Sequence, residues 1–242
     1  MADTGVRLRF DEDLWLFLAP RNRMPEVRVP YDGTSTVGHL IESAGVPLTE
    51  VGSLGSGGTP VAASCRPAAG DVVDVHSVTR PQRLPDVPAR FLLDVHLGAL
   101  ARRLRLVGVD SAYSNDADDD ELIVQANQQR RVLLTQDRGL LRRRSLWLGA
   151  YVRGALPDQQ LRDVLDRFAP LLEPWTICTA CNGRLAEVPK AEVEGTLQPG
   201  TRRTYESFAR CTACGRVYWR GAHSRRLDRI IAAATAAAPG QD

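Results

Sequence analysis

Two pairs of cysteines carry the most specific chemical signal in this chain. Cys178 and Cys181 flank the dipeptide Thr-Ala, and Cys211 and Cys214 repeat the same spacing around the same dipeptide. A Cys-x-x-Cys turn presents two thiolates to one ion, and two such turns supply the four soft ligands of a tetrahedral Zn2+ site. Four protein ligands close the site, so zinc there is structural and not catalytic. Two redox disulfides are the competing reading, which the repetition of one motif weakens. Cys65 stands alone and reads as a buried or turn residue. The second signal is a set of carboxylates. Asp94 closes the apolar run Phe91-Leu92-Leu93, Asp137 follows Val132-Leu133-Leu134-Thr135, and between them lies Asp118-Asp119-Asp120-Glu121. Hard oxygen ligands suit Mg2+ or Mn2+, and such ions activate water for attack on a phosphodiester. Helix capping is the alternative for the acidic run: Asp118-x-x-Glu121 fits a capping box, and acids in a first helical turn favour the helix dipole.

Elements must hold these groups in place. In residues 90–172 a short apolar strand ends on Asp94, and Leu97 to Val107 forms an amphipathic helix stopped by Gly108. Val109 to Tyr113 is a second strand, the acidic run opens a second helix, and Arg131 to Thr135 is a third strand. Strand-helix alternation of this kind predicts a parallel α/β sheet. Ligands gather at the carboxyl ends of such strands, where Asp94 and Asp137 both fall. Residues 1–79 form a small α+β pattern, with alternation in Val6 to Phe10 and Val27 to Val29 and a short helix from Thr36 to Ala44. A Gly-Asp-x-Val-x-Val ending at Gly70 to Val75 follows. This pattern resembles the ubiquitin-like β-grasp of sulfur carriers. Carriers act through a free terminal Gly-Gly, whereas this chain runs on through Val78 to Arg80-Pro81, so the module reads as one for interaction or packing. Residues 80–89, with Pro81, Pro85 and Pro88, form a linker. Residues 173–242 hold the cysteine pairs and a basic tail helix, Ser224 to Ala234.

Of 242 residues, 43% are hydrophobic and 25% charged, the balance of a soluble globular protein rather than a disordered one. No apolar run approaches the roughly 20 residues of a membrane span, and Met1-Ala2-Asp3-Thr4 lacks the apolar core of a signal peptide. A cytoplasmic protein without a membrane partner is expected. The net charge of +2 hides a gradient: residues 1–86 hold 8 basic and 11 acidic side chains, and residues 173–242 hold 10 and 7. Such asymmetry points to modules with different partners.

The run Phe91-Leu92-Leu93-Asp94-x-x-Leu97-Gly98-x-Leu100-Ala101-Arg102-x-Leu104-Arg105-x-x-Gly108-x-Asp110, followed by Leu133-Leu134-Thr135-x-Asp137, resembles the Mut-seven C-terminal ribonuclease family. Members of that family are PIN-like, often end in a zinc ribbon, and in some cases begin with a ubiquitin-like module, so the resemblance spans the whole chain. It implies an α/β fold with an N-terminal β-grasp domain, a PIN-like parallel-sheet core and a C-terminal zinc ribbon. It also implies a Mg2+- or Mn2+-dependent ribonuclease, more often an endonuclease, with Asp94, Asp119 and Asp137 as catalytic acids. Asp120 is the neighbour that shares the metal-ligand assignment with Asp119. Many PIN domains carry a further acid two residues after the later Asp. Here that residue is Gly139, which leaves the number of metals open.

Basic residues frame these acids. Arg102, Arg103 and Arg105 lie on the helix leaving Asp94, and Arg142, Arg143 and Arg144 follow Asp137. With His223 after the second cysteine pair, they form a candidate surface for RNA, transfer RNA among the possible substrates. Each Arg taken singly reads better as part of a solvated helix face, and only the group flanking the acids favours a polyanionic substrate. Tyr218 and Trp219 suit either base stacking or packing on the ribbon. Two rival readings remain: an RNA-binding protein without catalysis, and an adaptor that recruits a protein partner through the β-grasp module.

Overall fold

The computed structural model describes residues 5–85, 88–220 and 224–237, with the side chains of 224–227 and 237 left aside. The chain opens with strands β1 (Gly5–Phe10) and β2 (Glu26–Pro30), helix α1 (Val37–Ala44), and strands β3 (Val51–Ser56), β4 (Thr59–Pro60) and β5 (Val72–Ser77). Then β6 (Phe91–Leu93), α2 (Gly98–Leu106), β7 (Ser111–Tyr113), α3 (Asp119–Gln129) and β8 (Val132–Thr135) alternate, followed by β9 (Gly149–Tyr151) and α4 (Pro157–Phe168). Strand β10 (Leu185–Val188), the short helices α5 (Lys190–Val193) and α6 (Pro199–Thr204), strands β11 (Phe208–Cys211) and β12 (Val217–Trp219), and helix α7 (Ser224–Ala237) complete it. No helix among the described residues is long and apolar enough to cross a membrane.

These elements form two compact units that are not simple consecutive stretches. One comprises Met1–Arg80 with Asp137–Tyr151, the other Pro81–Gln136 with Val152–Asp242. The linear order of modules read from the sequence does not anticipate that 137–151 groups with the N-terminal residues.

In the first unit the alternation in β1 has the expected cause. Val6, Leu8 and Phe10 point to one face and are buried, while Arg9 is exposed. β1 pairs antiparallel with β2 (Leu8↔Val27) and parallel with β5 (Leu8↔Val73), giving the order β2-β1-β5-β3-β4. Helix α1 buries Val37, Leu40 and Ile41, each worth about 1.5–3 kcal/mol of apolar transfer. Its N-cap is Thr36, whose hydroxyl accepts the His39 N–H. The apolar run Leu14 to Leu18 is not a strand. It lies mostly in a 3-10 turn (Glu12–Phe17) whose Leu14 and Phe17 join the core.

In the second unit β6 lies between β7 and β8, both parallel to it, with Phe91 opposite Ser111 and Val132. Strands covered on both faces need continuous apolar character, and Phe91–Leu93 and Val132–Thr135 are buried at every position. Helix α2 buries Leu100, Ala101 and Leu104, and α4 packs against α2 and α7. Gly108 ends the turn after α2 at φ 84°, and a Cβ there would lie 1.9 Å from the Glu173 carbonyl oxygen, so only glycine lets the ribbon segment pass so close. The ribbon is an antiparallel sheet ordered β10-β11-β12, with Leu185 opposite Cys211 and Phe208 opposite Trp219. The connection between the antiparallel strands β10 and β11 carries α5 and α6.

Candidate functional site

Asp94 stands where β6 ends. Its N–H donates to the Leu134 carbonyl at 3.0 Å, and it caps the 3-10 turn Val95–Leu97. The side chain is 6% exposed, and the Thr135 hydroxyl donates to Oδ2 at 2.6 Å. The other oxygen, Oδ1, has no hydrogen-bond partner among the described residues. A carboxylate oxygen left without a protein donor is free to meet a cation, and the donor chemistry fits a hard divalent ion. The sequence pattern did not single out Thr135 as the partner of Asp94, because a threonine closing a strand looks like an ordinary β-former.

The acidic run behaves as a helix start. Asp118 is the N-cap of α3 and forms a full capping box: its side chain accepts the Glu121 N–H at 2.8 Å, and the Glu121 carboxylate accepts the Asp118 N–H at 3.1 Å. Asp119 and Asp120 lie in the first turn and are exposed. Asp94, Asp119 and Asp120 do not converge as a compact ligand cluster. Among the described residues, the group whose ligand atoms all lie within 4.8 Å of one another is the four cysteines. A Mg2+ or Mn2+ ion usually keeps several waters and takes few direct carboxylates. Asp137, in the first unit, is exposed, and its Oδ1 accepts the N–H groups of Gly139 at 2.6 Å and Leu140 at 3.3 Å.

The cysteine cluster is built from two equivalent turns. In each, the residue after the second cysteine donates its N–H to the carbonyl of the first (Asn182 to Cys178, Gly215 to Cys211), each at 3.0 Å. The first cysteine's own N–H goes to the carbonyl two residues beyond the second (Gly183 and Arg216). Asn182 (φ 68°) and Gly215 (φ 72°) hold the equivalent left-handed positions. Gly183 serves the first turn by its size. A Cβ there would lie 2.8 Å from both Cys211 Sγ and the Ala213 side chain. The sulfur separations of 3.4 Å (Cys181–Cys211) and 3.7 Å (Cys178–Cys214) are near the roughly 3.8 Å edge of a tetrahedron with Zn–S of about 2.3 Å. Burial acts to raise the Cys178 thiol, but hydrogen bonds from the Tyr218 hydroxyl and from the N–H groups of Cys181 and Ala180 hold it at about 6. Burial, with the neighbouring sulfurs, pushes Cys181 up to about 12. Four thiolates so close repel one another, and a single cation bound to all four removes the conflict. The four residues can hold zinc. Cys65 is exposed and outside this cluster.

The basic residues divide sharply. Arg105, expected to face RNA, is 3% exposed. Its Nε donates to the Ser111 carbonyl at 2.8 Å and its Nη1 to the carbonyls of Thr179 and Ala180 at 3.2 and 3.0 Å. It bolts the first cysteine turn to α2 and β7, a role its helical neighbours do not reveal. Asn182 reinforces the joint, donating to Asp110 Oδ1 at 2.6 Å and accepting the Ser111 N–H at 2.8 Å. Arg103 pairs with Asp158 at 2.6 Å, while Arg102 is exposed. In the first unit Arg142, Arg143 and Arg144 are all exposed, and Arg142 donates to the Gly45 carbonyl at 2.6 Å. His223 lies outside the described residues. Tyr218 packs on the ribbon, its hydroxyl 3.0 Å from Cys178 Sγ, while Trp219 is 38% exposed.

A family model described as the Mut7-C RNAse domain matches residues 89–231, and one described as Mut7-C ubiquitin matches residues 3–83. The first match takes in Asp94, Asp119, Asp120, Asp137 and all four clustered cysteines. No curated protein and no solved structure matches the chain.

Proposed function

Because the chain belongs to the Mut7-C RNase family, we propose that it hydrolyses RNA phosphodiester bonds as a Mg2+- or Mn2+-dependent endonuclease. The observation that carries this reading is the buried Asp94 carboxylate, with one oxygen fixed by Thr135 and the other unpartnered among the described residues. Asp94 would hold the ion, and Asp119 or Asp120 would contribute through the first turn of α3. Asp137 is assigned to the acidic set from its place in the sequence, two residues past β8. A bound divalent ion would supply Lewis acidity and a water ionised near neutral pH. Thr135 keeps the Asp94 carboxylate in one orientation. The exposed Arg102 would meet phosphates, and the ribbon with its structural zinc would extend the RNA surface.

RNA binding without cleavage is the second reading. It is favoured by the capping box at Asp118 and Glu121, which accounts for part of the acidic run without any metal. Incubation of the full chain with cellular RNA in Mn2+, in Mg2+ and in EDTA separates the two. The nuclease reading expects discrete fragments that EDTA abolishes, and retained but intact RNA in every metal would favour the second.

A further inference from the structure

Residues 138–151 contain little regular structure of their own, a 3-10 turn (Leu140–Arg142) and the three residues of β9. The ubiquitin-like residues of the same compact unit hold them at several points. The Arg138 guanidinium donates to the carbonyls of Leu16 at 2.7 Å and Phe17 at 3.0 Å and lies 5.2 Å over the Phe17 ring. Tyr151 meets the same ring edge-on at 5.1 Å, and its N–H donates at 2.8 Å to Oε1 of Glu50, a carboxylate only 1% exposed. Arg142 adds its bond to the Gly45 carbonyl at 2.6 Å, and the turn at 140–142 packs beside that at Leu48–Glu50. Leu140 and Leu141 are buried. The segment is thus anchored near its start, at its turn and at its end.

Asp137 sits at the head of this segment, and its Oδ1 is oriented by the N–H groups of Gly139 and Leu140. We propose that the ubiquitin-like module serves this chain as an internal scaffold, with Arg138 the positioning residue that sets the orientation of Asp137 for RNA cleavage. The inference rests on the nuclease reading above and names a partner for the β-grasp surface: a segment of the same chain. Buried, mutually satisfied contacts such as the Glu50 carboxylate with the Tyr151 N–H make a permanent joint rather than a removable cover. Arginine suits the task because its planar fork reaches two carbonyls while stacking on a ring, which lysine cannot reproduce.

The test compares full-length wild type, Arg138→Ala and Arg138→Lys by amide hydrogen exchange and by steady-state cleavage of RNA in Mn2+. Arg138→Ala is expected to accelerate exchange across 139–151 while leaving 91–106 unchanged. It should lower kcat by about a hundredfold, the scale of a 1 Å misplacement, with KM for RNA within about twofold. Arg138→Lys should recover only part of kcat. Faster exchange without a fall in kcat, or no change in either, overturns the proposal while leaving the nuclease reading intact. A rise in kcat overturns it in favour of an inhibitory cover. No cleavage by wild type in any metal sinks the nuclease reading, and the proposal with it.

Discussion

The Thr135 hydroxyl donates to Asp94 Oδ2 at 2.6 Å, so the residue that ends β8 fixes the carboxylate that ends the neighbouring strand β6. Parallel pairing of Leu93 with Leu134 brings the next residues, Asp94 and Thr135, to the same level. Thr135→Val preserves shape but removes the donor. It should cost about 1–3 kcal/mol of stability, because a buried acceptor is left unpaired. If Asp94 holds the ion as proposed, it should also cost about 10- to 100-fold in activity, the usual effect of losing a partner behind a metal ligand. Thr135→Ser should retain both, as read by thermal unfolding and RNA cleavage rates.

Zinc removal should act on the fold before it acts on chemistry. Structural zinc contributes about 10–16 kcal/mol to small cysteine sites, and the four sulfurs have no other cross-link. One zinc per chain should appear in native mass spectrometry. A chelator or Cys211→Ser should unfold the ribbon and, through the Arg105 bonds to Thr179 and Ala180, lower the melting temperature of the α/β core with it.

Two arginines on one helix should respond in opposite ways. Arg105→Met strips three carbonyls of their donor and should destabilise by several kcal/mol, at about 1.5–3 kcal/mol for each charged hydrogen bond. Arg102→Ala should leave stability unchanged. If Arg102 meets one phosphate, its loss should shrink the salt dependence of RNA binding by about 0.7 in log-log slope. Thermal unfolding and binding titrations at several salt concentrations read the two effects.

The joint between core and ribbon should weaken in acid. Burial acts to raise the Asp110 carboxyl, but hydrogen bonds from Arg131, at 2.7 and 3.1 Å, and from Asn182 outweigh it and hold the group below its ordinary value. A carboxylate lowered in the folded state stabilises fully above its unfolded pKa of about 3.9. That stabilisation fades as pH falls from there through the folded value. Asp110→Asn should lower stability at pH 7 and flatten the dependence below pH 4, as measured by denaturant unfolding at stepped pH.

Local signals were the ones legible in the sequence. The capping box at Asp118 and Glu121 spans one helical turn, and the buried acid at Asp94 follows from an apolar strand that ends on a carboxylate. The paired cysteine spacing located the four-sulfur cluster for the same reason. What escaped depends on distant chain. Arg105 looks like a solvated cation on a basic helix until the first cysteine turn, 74 positions later, brings it backbone carbonyls. The small size needed at Gly183 escaped too, because the close approach of Cys211 is invisible in a CxxC motif. The grouping of 137–151 with the N-terminal residues rests on Arg138 reaching Leu16 and Phe17, more than a hundred residues away in sequence.

The most direct test compares wild type with Asp94→Asn on a 5′-labelled RNA in Mn2+, with binding measured in parallel. The account predicts discrete fragments from wild type, none from Asp94→Asn, and equal RNA affinity for both. Cleavage by Asp94→Asn at the wild-type rate would contradict it, because the buried carboxylate beside Thr135 would then have no part in the chemistry.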